Sequence, residues 1–331
     1  MLKIKPFLYY WRNTIPYILP FITTLILISC SEEEYPPYQE DPEIVAKDSV
    51  TNVLISVMDK DSLRYMVTQL ENFGTRFALA GNRKTVARYL EKRFNNIGLT
   101  DTRIDSFRIA LIWLGKQYVE WHYNVSAHLH GTGSPDSLSI IGAHYDDIVT
   151  YENPFVVAPG ANDNASGVAA VFEIARVMSA KNYKPAGSIN FVLFAAEEFE
   201  LAGSRVYTEN AFNRGDRITM MLNFDMIAWE QGIQPVKWKL NIMNYANSLP
   251  LLDKARQYCS KYSILMPLTD NRQSQFSDSY SFFKKGYRAL YYASPSEDPN
   301  YHTKNDISAG LNFEYCLEVV KASVAMIVYH N

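Results

Sequence analysis

The chain has 331 residues, of which 47% are hydrophobic and 20% charged, and its formal net charge is −3. This length suits one large domain or two ordinary ones. The near-neutral balance argues against nucleic acid as a partner, because nucleic-acid-binding surfaces are basic. No repeat of fixed period is visible along the sequence.

The N-terminus resembles a bacterial lipoprotein signal. Basic residues precede an apolar run over 15–28, which Pro16 and Pro20 interrupt and which is too short to span a bilayer. The run ends in Leu27-Ile28-Ser29-Cys30, which resembles a lipobox and implies a lipidated Cys30 as first mature residue; a chance cysteine is the alternative. We predict a signal peptide over 1–29, an acidic tether over 30–48 and a folded domain over 49–331. The protein would be extracytoplasmic, lipid-anchored to the bacterial membrane on an outer-membrane, periplasmic or cell-surface side.

Two further cysteines, Cys259 and Cys316, are too few for a disulfide framework. An oxidising compartment would permit a bridge between them. Two separate buried thiols explain them equally well, so both alternatives stay open at this point.

Apolar periodicity and turn residues predict the secondary structure in chain order. A helix over 50–73 and a helix over 83–96 come first, followed by a hairpin of two strands, 103–114 and 117–129. The remaining strands are predicted at 137–143, 189–194, 218–224, 237–243 and 289–292, and the remaining helices at 165–180, 201–212, 249–261, 278–285 and 313–329. This alternation predicts a single α/β domain whose mixed central sheet is flanked by helices on both faces.

Two adjacent carboxylates, Glu197 and Glu198, follow the apolar strand predicted at 189–194. Like charges this close repel, and they require cations or protons nearby if they are buried. The carboxyl ends of strands in open α/β sheets are also where ligands bind. A solvated loop is the simpler alternative for this pair taken alone.

Four more polar constellations fall at strand ends or in adjoining loops, and they carry His144, Asp163, Asp225 and His302. Two histidines and three carboxylates suffice to bind two zinc ions if one carboxylate bridges them. The remaining glutamate is then free to take a proton from water. Taken singly, each constellation is explained by a turn or a helix cap.

Six motifs in this order and spacing resemble the co-catalytic zinc aminopeptidase family: GAHYDD, PGANDNASG, AAEEFELAGS, NFDM, SDSYSF and YHTKND. That family includes bacterial leucyl aminopeptidases and glutamate carboxypeptidases, and the similarity covers about Asn72 to the C-terminus. The resemblance implies a zinc exopeptidase fold, of the phosphorylase/hydrolase-like kind, and a di-zinc metallo-exopeptidase that acts on peptide substrates as an aminopeptidase.

The resemblance also implies a role for each site residue. The implied metal ligands are His144 and Asp225 for one Zn²⁺, Glu198 and His302 for the other, and Asp163 as the bridge between them. Glu197 would be the general base for a metal-activated water. Asp146 would orient His144, and Asp306 would do the same for His302.

The chain departs from the family near Ser277-Asp278-Ser279, where many members have Ser-Asp-His preceded by a tyrosine that stabilises the oxyanion. Here that neighbourhood offers only Gln273, Ser274 or Gln275 as donors, unless the metals suffice. Two alternatives remain: a single-zinc glutaminyl-peptide cyclotransferase, and a catalytically silent surface lipoprotein that binds peptides. Side-chain preference and oligomeric state stay open.

Overall fold

The computed structural model describes residues 41–133, 137–230 and 234–331. The predicted signal peptide, Cys30 and the tether up to residue 40 lie outside the described residues. The helices of the described part are α1 (Pro42–Ile55), α2 (Lys60–Glu71), α3 (Arg83–Asn96), α4 (Gly167–Ala180), α5 (Ala202–Arg214), α6 (Leu249–Tyr262), α7 (Ser279–Lys284) and α8 (Phe313–His330). Its strands are β1 (Thr102–Trp113), β2 (Lys116–Leu129), β3 (Leu138–His144), β4 (Ser188–Phe194), β5 (Ile218–Phe224), β6 (Lys239–Asn244), β7 (Met266–Leu268) and β8 (Ala289–Ala293).

These strands form one mixed sheet in the order β1-β2-β4-β3-β5-β8-β6-β7. The four central strands, β4, β3, β5 and β8, run parallel to one another. β2 and β6 pair with them in the antiparallel sense on either side. The predicted α/β class with a mixed central sheet is therefore confirmed, and the carboxyl ends of the parallel strands meet at one edge.

Helices cover both faces of the sheet because its central strands are apolar on both sides. Ile141 of β3 and its neighbour Phe191 of β4 face the core that contains residues of α2, α3, α4, α6 and α8. Ile140 and Val192 face the other side, where they pack with Phe282 of α7 and with residues of α5. This arrangement confirms the predicted layers.

The helix predicted over 50–73 is wrong as a single element, because the chain breaks between α1 and α2. Asp59 ends the break by capping α2: its side chain accepts a hydrogen bond from the backbone N–H of Asp61. The backbone N–H of Asp59 donates to the Glu173 carboxylate of α4 at 2.7 Å. That contact depends on a distant residue, and the apolar spacing along the sequence does not report it.

Part of the predicted tether belongs to the folded unit, which spans Asp41 to Asn331. Residues 42–48 form the first turns of α1, with Asp41 as the N-cap and a proline at the first helical position. The Asp48 carboxylate also accepts hydrogen bonds from Lys261, at 2.5 and 2.7 Å. In the described part of the chain, the predicted boundary at 48/49 is therefore too late.

The remaining differences are small. The sequence pattern did not predict β7, since three residues are too few to show a period of two. Cys259 and Cys316 are both buried free thiols, which settles the alternatives left open for them. None of the helices in the part of the chain that the structure describes is long and apolar enough to cross a membrane.

Candidate active site

Three neighbouring parallel strands bring acidic and imidazole side chains to one edge of the sheet. His144 is the last residue of β3, and Asp225 directly follows β5. Glu197 and Glu198 follow β4 after two buried alanines. Because β4, β3 and β5 are adjacent, these residues become neighbours although they are far apart in the sequence.

Two loops complete the cluster. Asp163 lies in the turn Ala161–Ser166, which leads directly into α4, and its own backbone is not helical, with φ −108° and ψ 90°. His302 lies in the loop between β8 and α8 and has a positive φ of 55°. The structure thus brings together every residue that the sequence predicts as a metal ligand or general base.

Asp163 lies between the two histidines and presents a different oxygen to each. Its Oδ1 is 3.3 Å from Nε2 of His144, and its Oδ2 is 3.1 Å from Nε2 of His302. Asp225 Oδ1 lies 3.4 Å from the same His144 nitrogen, and Glu198 Oε1 lies 3.2 Å from the His302 nitrogen. A carboxylate with one oxygen in each of two groups has the geometry of a bridging ligand.

The described part of the chain contains three compact groups of donor atoms. One joins His144 with Glu197 and Glu198, and the other two share Asp163. Of these two, one contains His144, Asp163 and Asp225, and the other contains Asp163, Glu198 and His302, with the donor atoms of each within 4.8 Å of one another. Imidazole nitrogen and carboxylate oxygen are donors that zinc accepts, and three protein ligands per ion leave a position open. Glu197 lies beside the group that contains Asp225, with Oε2 3.9 Å from His144 Nε2.

The cluster carries more negative charge than its own side chains balance. Burial raises the pKa of Glu197 well above its usual value and that of Glu198 to about 7. Burial acts to lower the pKa of His302, but hydrogen bonds to Asp163 and Glu198 outweigh it and raise that pKa to about 10. Burial acts to raise the pKa of Asp163, yet hydrogen bonds from His144 and His302 leave it lowered. Buried acids of this kind are stabilised by bound cations, so the donor set fits metal ions.

The sequence predicts that the Asp146 carboxylate orients His144, but the structure shows a different contact. The carboxylate lies 3.8 Å from His144 Nδ1, which instead faces the backbone carbonyl of Asp146 at 3.2 Å. The carboxylate accepts hydrogen bonds from the backbone N–H groups of Glu197, at 2.9 Å, and Glu198, at 3.3 Å. The expectation fails because β3 ends at His144, so residues 144 and 146 no longer share one face of a strand.

The expected contact of Asp306 with His302 is also wrong. The Asp306 carboxylate accepts hydrogen bonds from the backbone N–H groups of Asn162, at 2.7 Å, and Asp163, at 3.0 Å. Burial raises the pKa of Asp306 to about 8, and these two bonds act against the rise. Asp306 therefore holds the turn that carries Asp163.

Sequence reasoning missed two residues that support the cluster. Ser277 donates to Asp225 Oδ2 at 2.6 Å; it is part of the motif SDSYSF, which was the available signal. Arg76 is wholly buried and donates to the carbonyls of Tyr145, at 2.8 Å, and Gly160, at 2.8 Å. Its guanidinium also pairs with the buried Asp147 carboxylate at 3.1 Å. Nothing in the sequence around Arg76 signals this role, because these partners lie far from Arg76 along the chain.

Two cavities open beside the cluster. The smaller, about 520 Å³, is lined by the candidate ligands His144, Asp163, Glu198 and Asp225. The larger, about 650 Å³, is lined by Glu197 and Glu198 together with residues of α5 and α7. Residues common to both cavities are Glu197, Glu198, Phe276 and Tyr301.

The oxyanion donors considered from the sequence, and several nearby aromatic residues, divide between these cavities and the rest of the structure. Phe276 and Tyr280 line a cavity, whereas Tyr292 is fully buried in the core. Gln273 lines the smaller cavity and Gln275 the larger. The backbone carbonyl of Ser274 accepts a hydrogen bond from Tyr245.

The comparison with known families decides the identity of the fold. The model of Peptidase family M28 matches residues 124–325, which contain all of these ligand candidates. The chain belongs to Peptidase family M28. It is therefore a hydrolase of a metallopeptidase family, as the sequence predicts.

Curated relatives of this M28 peptidase carry related names. It is 25% identical to "Leucine aminopeptidase 1" of Trichophyton equinum over 295 residues, covering 86% of this chain and 78% of that protein. It is also 25% identical to a "Probable zinc metalloprotease" of Pyrenophora teres f. teres over 357 residues, covering 90% of this chain and 74% of that protein. The name of the second relative indicates zinc as the metal.

Solved structures share the fold of this M28 peptidase. The LapA aminopeptidase of Legionella pneumophila superposes with a TM-score of 0.72 at 20% identity, covering 88% of this chain and 77% of that one. The glutaminyl cyclase of Fimbriiglobus ruber superposes with a TM-score of 0.67 at 16% identity, covering 82% of this chain and 95% of that one. At these identities the fold is shared, and the fold by itself does not choose between the two reactions.

Proposed function

We propose that this M28 peptidase is an aminopeptidase that hydrolyses N-terminal residues from peptides and binds two zinc ions per chain. The observation that carries the proposal is the position of Asp163, which offers one oxygen to each of two histidine-containing donor groups. The names of the curated relatives support both the activity and the metal.

In this proposal, each of the two donor groups that share Asp163 would hold one ion. His144 and Asp225 would bind the first, Glu198 and His302 the second, and Asp163 both. When bound, zinc supplies Lewis acidity, which polarises a carbonyl and lowers the pKa of water.

Glu197 would move the protons of the reaction. Its carboxylate is buried beside the cluster, and burial raises its pKa, so it can accept a proton from the attacking water and return that proton to the leaving amine. Asp146 holds the backbone of Glu197 by accepting its N–H at 2.9 Å. Because this bond is to the backbone, the Glu197 side chain stays free for the reaction.

The supporting residues would keep the ligands in place before substrate binds. Ser277 donates to Asp225 Oδ2 at 2.6 Å, which leaves Oδ1 directed at His144. Asn223 donates to Ser277 at 2.7 Å and so fixes the direction of the serine hydroxyl. Hydrogen bonds of this kind to metal-binding carboxylates set their orientation and basicity.

The decisive experiment compares Glu197→Gln with Glu198→Gln on zinc-restored protein. We expect Glu197→Gln to keep two zinc ions per chain and lose about 10²- to 10⁴-fold in kcat. Glu198→Gln should bind less zinc as well as lose activity. Zinc content is measured by mass spectrometry of the metal, and turnover with aminoacyl fluorogenic substrates.

Glu91→Gln on α3, outside both cavities, is the matched control and should behave as the wild type. N-blocked substrates should not be cleaved if the free amine is required. A wild type that hydrolyses no peptide or aminoacyl substrate with zinc restored would leave the silent, peptide-binding alternative. One zinc per chain together with cyclisation of N-terminal glutamine would identify the cyclotransferase instead.

We also propose that the protein is extracytoplasmic and anchored to the membrane by lipid on Cys30. The support is the sequence alone: basic residues, an apolar run and Leu27-Ile28-Ser29-Cys30. Cys30→Ala should remove the protein from the membrane fraction and abolish labelling with a fatty-acid probe. Cys259→Ala, which alters a buried thiol, should leave both unchanged. Equal membrane association of the two variants would contradict the anchor.

A further inference from the structure

Tyr291 is a buried tyrosine whose hydroxyl has no evident structural role. It lies on β8, is 6% exposed, and lines the smaller cavity together with the candidate metal ligands. Within residues 41–133, 137–230 and 234–331, its hydroxyl makes no hydrogen bond, yet the oxygen is not sealed off as that of Tyr292 is. A buried polar group without a partner is costly, so its persistence beside a reaction site suggests a partner that arrives with the substrate.

The strand pairing places Tyr291 next to the cluster. β8 runs parallel to β5 with Tyr291 opposite Asn223, and the backbone N–H of Asp225 donates to the Tyr292 carbonyl at 3.1 Å. Tyr291 lines the same cavity as Asp225 and Glu197, so its phenol lies close to the carboxylates of the site. A tyrosine with an ordinary pKa of about 10 keeps its proton at neutral pH and can donate a hydrogen bond.

A hydrogen-bond donor adds to the stabilisation that metal ions give to the carbonyl oxygen as it becomes negatively charged. Gln273 reaches the same cavity, but it is exposed and belongs to a short 3-10 turn. A donor that is held by a strand and packed against Met243 and Ala293 needs little reorganisation when charge develops. Tyr291 has both properties.

We propose that Tyr291 is a catalytic residue of this site, whose hydroxyl donates a hydrogen bond to the scissile carbonyl oxygen as that oxygen acquires negative charge. This role rests on the proposed aminopeptidase function. The proton stays on the tyrosine throughout: the hydrogen bond strengthens as the carbonyl carbon becomes tetrahedral and weakens when the C–N bond breaks. No other reactant is required.

Tyr301 is the competing donor. It lines both cavities, and its ring stacks on that of His302 with the centroids 3.7 Å apart. It is 49% exposed and lies in a loop, so water solvates it and its position is less constrained than that of Tyr291. These properties suit a contact with the substrate chain better than a fixed oxyanion donor.

The test compares Tyr291→Phe with Tyr292→Phe. The two tyrosines are neighbours on the same strand, but the Tyr292 hydroxyl is enclosed in the core and also lacks a partner. Each variant removes one oxygen and keeps the ring. We expect Tyr291→Phe to lower kcat by about 10²-fold with a nearly unchanged KM, and Tyr292→Phe to match the wild type.

A binding measurement separates catalysis from structure. Calorimetric affinity for an aminoalkyl boronic acid, which adopts the tetrahedral geometry, should fall in Tyr291→Phe by about the same factor as kcat/KM. Affinity for a free amino-acid product, zinc content and melting temperature should all stay at wild-type values.

Three results would overturn the role. Tyr291→Phe could match the wild type in kcat, or Tyr301→Phe could carry the loss instead. A loss shared equally among zinc content, product affinity and boronate affinity would identify Tyr291 as structural. An inactive wild type would instead contradict the proposed aminopeptidase function, and the role of Tyr291 would fall with it.

Discussion

Glu197 and Glu198 are adjacent, yet their carboxylates face different histidines. Glu198 Oε1 lies 3.2 Å from His302 Nε2, whereas Glu197 Oε2 lies 3.9 Å from His144 Nε2. The Asp146 carboxylate accepts both backbone N–H groups, so it holds the segment from which the two side chains diverge. At the scale of residues, the division between metal ligand and general base follows from this backbone position. The roles themselves stay a prediction until the variants are measured.

Asp306 gives a second prediction at this scale. Its carboxylate holds the backbone of Asn162 and Asp163, and Asp163 contributes to both donor groups. Asp306→Asn should therefore weaken the binding of both zinc ions, by about 10- to 100-fold in affinity. Competition with a chelator measures these affinities.

Asp298→Asn is a close comparison, since Asp298 accepts a hydrogen bond from the side chain of Asn162, whereas the backbone N–H of Asp163 donates to Asp306. It should disturb zinc binding less. If Asp306→Asn weakened the binding of only one of the two ions, the result would contradict a role of Asp306 through Asp163. It would favour the contact with His302 that the sequence predicts.

At the scale of elements, the β1–β2 ribbon extends beyond the sheet and carries a buried histidine. β2 pairs with β4 only over residues 125–129, whereas its pairing with β1 continues to the turn. His122 lies in this extension, is 1% exposed, and has its ring beside that of Phe107. Its Nε2 has no partner among the described residues. The ribbon therefore contains a group that resists protonation.

Burial lowers the pKa of His122 from 6.5 to about 4, and the charge of Arg83 acts in the same direction. The unfolded chain binds this proton at a higher pH than the folded chain does. The contribution of His122 to the free energy of unfolding is therefore fully present above pH 6.5. It is lost as the pH falls towards 4, which lowers that free energy by at most about 3 kcal/mol.

His122→Phe should remove that part of the acid sensitivity, measured as the free energy of unfolding in urea at pH 7 and at pH 5. His130→Gln alters a largely exposed histidine and should keep the dependence of the wild type. Parallel stability curves for His122→Phe and the wild type would show that folding does not lower the pKa of His122.

At the scale of the whole molecule, the sheet order creates the site. The strands that precede His144, Glu197 and Asp225 are adjacent and parallel, so their carboxyl ends meet at one edge. Arg76 adds a long-range connection, since its buried guanidinium donates to the carbonyls of Tyr145 and Gly160, in the segments that carry His144 and Asp163. The position of the donors is therefore a property of the assembled sheet and its loops.

Much of this protein could be predicted from its sequence because the relevant signals are local. Strand and helix periodicity gave the α/β class and nearly every long element, with the break between α1 and α2 as the main error. Polar residues at strand ends indicated the cluster, since parallel strands must meet at one edge. Lipidation of Cys30 and the count of two zinc ions are predictions that the described residues leave for experiment.

Only the tertiary structure decided which donors each buried carboxylate meets. Asp146 and Asp306 were predicted to orient histidines, and both bind backbone N–H groups instead. The partner depends on the direction that the backbone takes after a strand ends, and distant contacts set that direction. The roles of Arg76 and Tyr291 could not be predicted for the same reason, because their neighbours come from segments far away in the sequence.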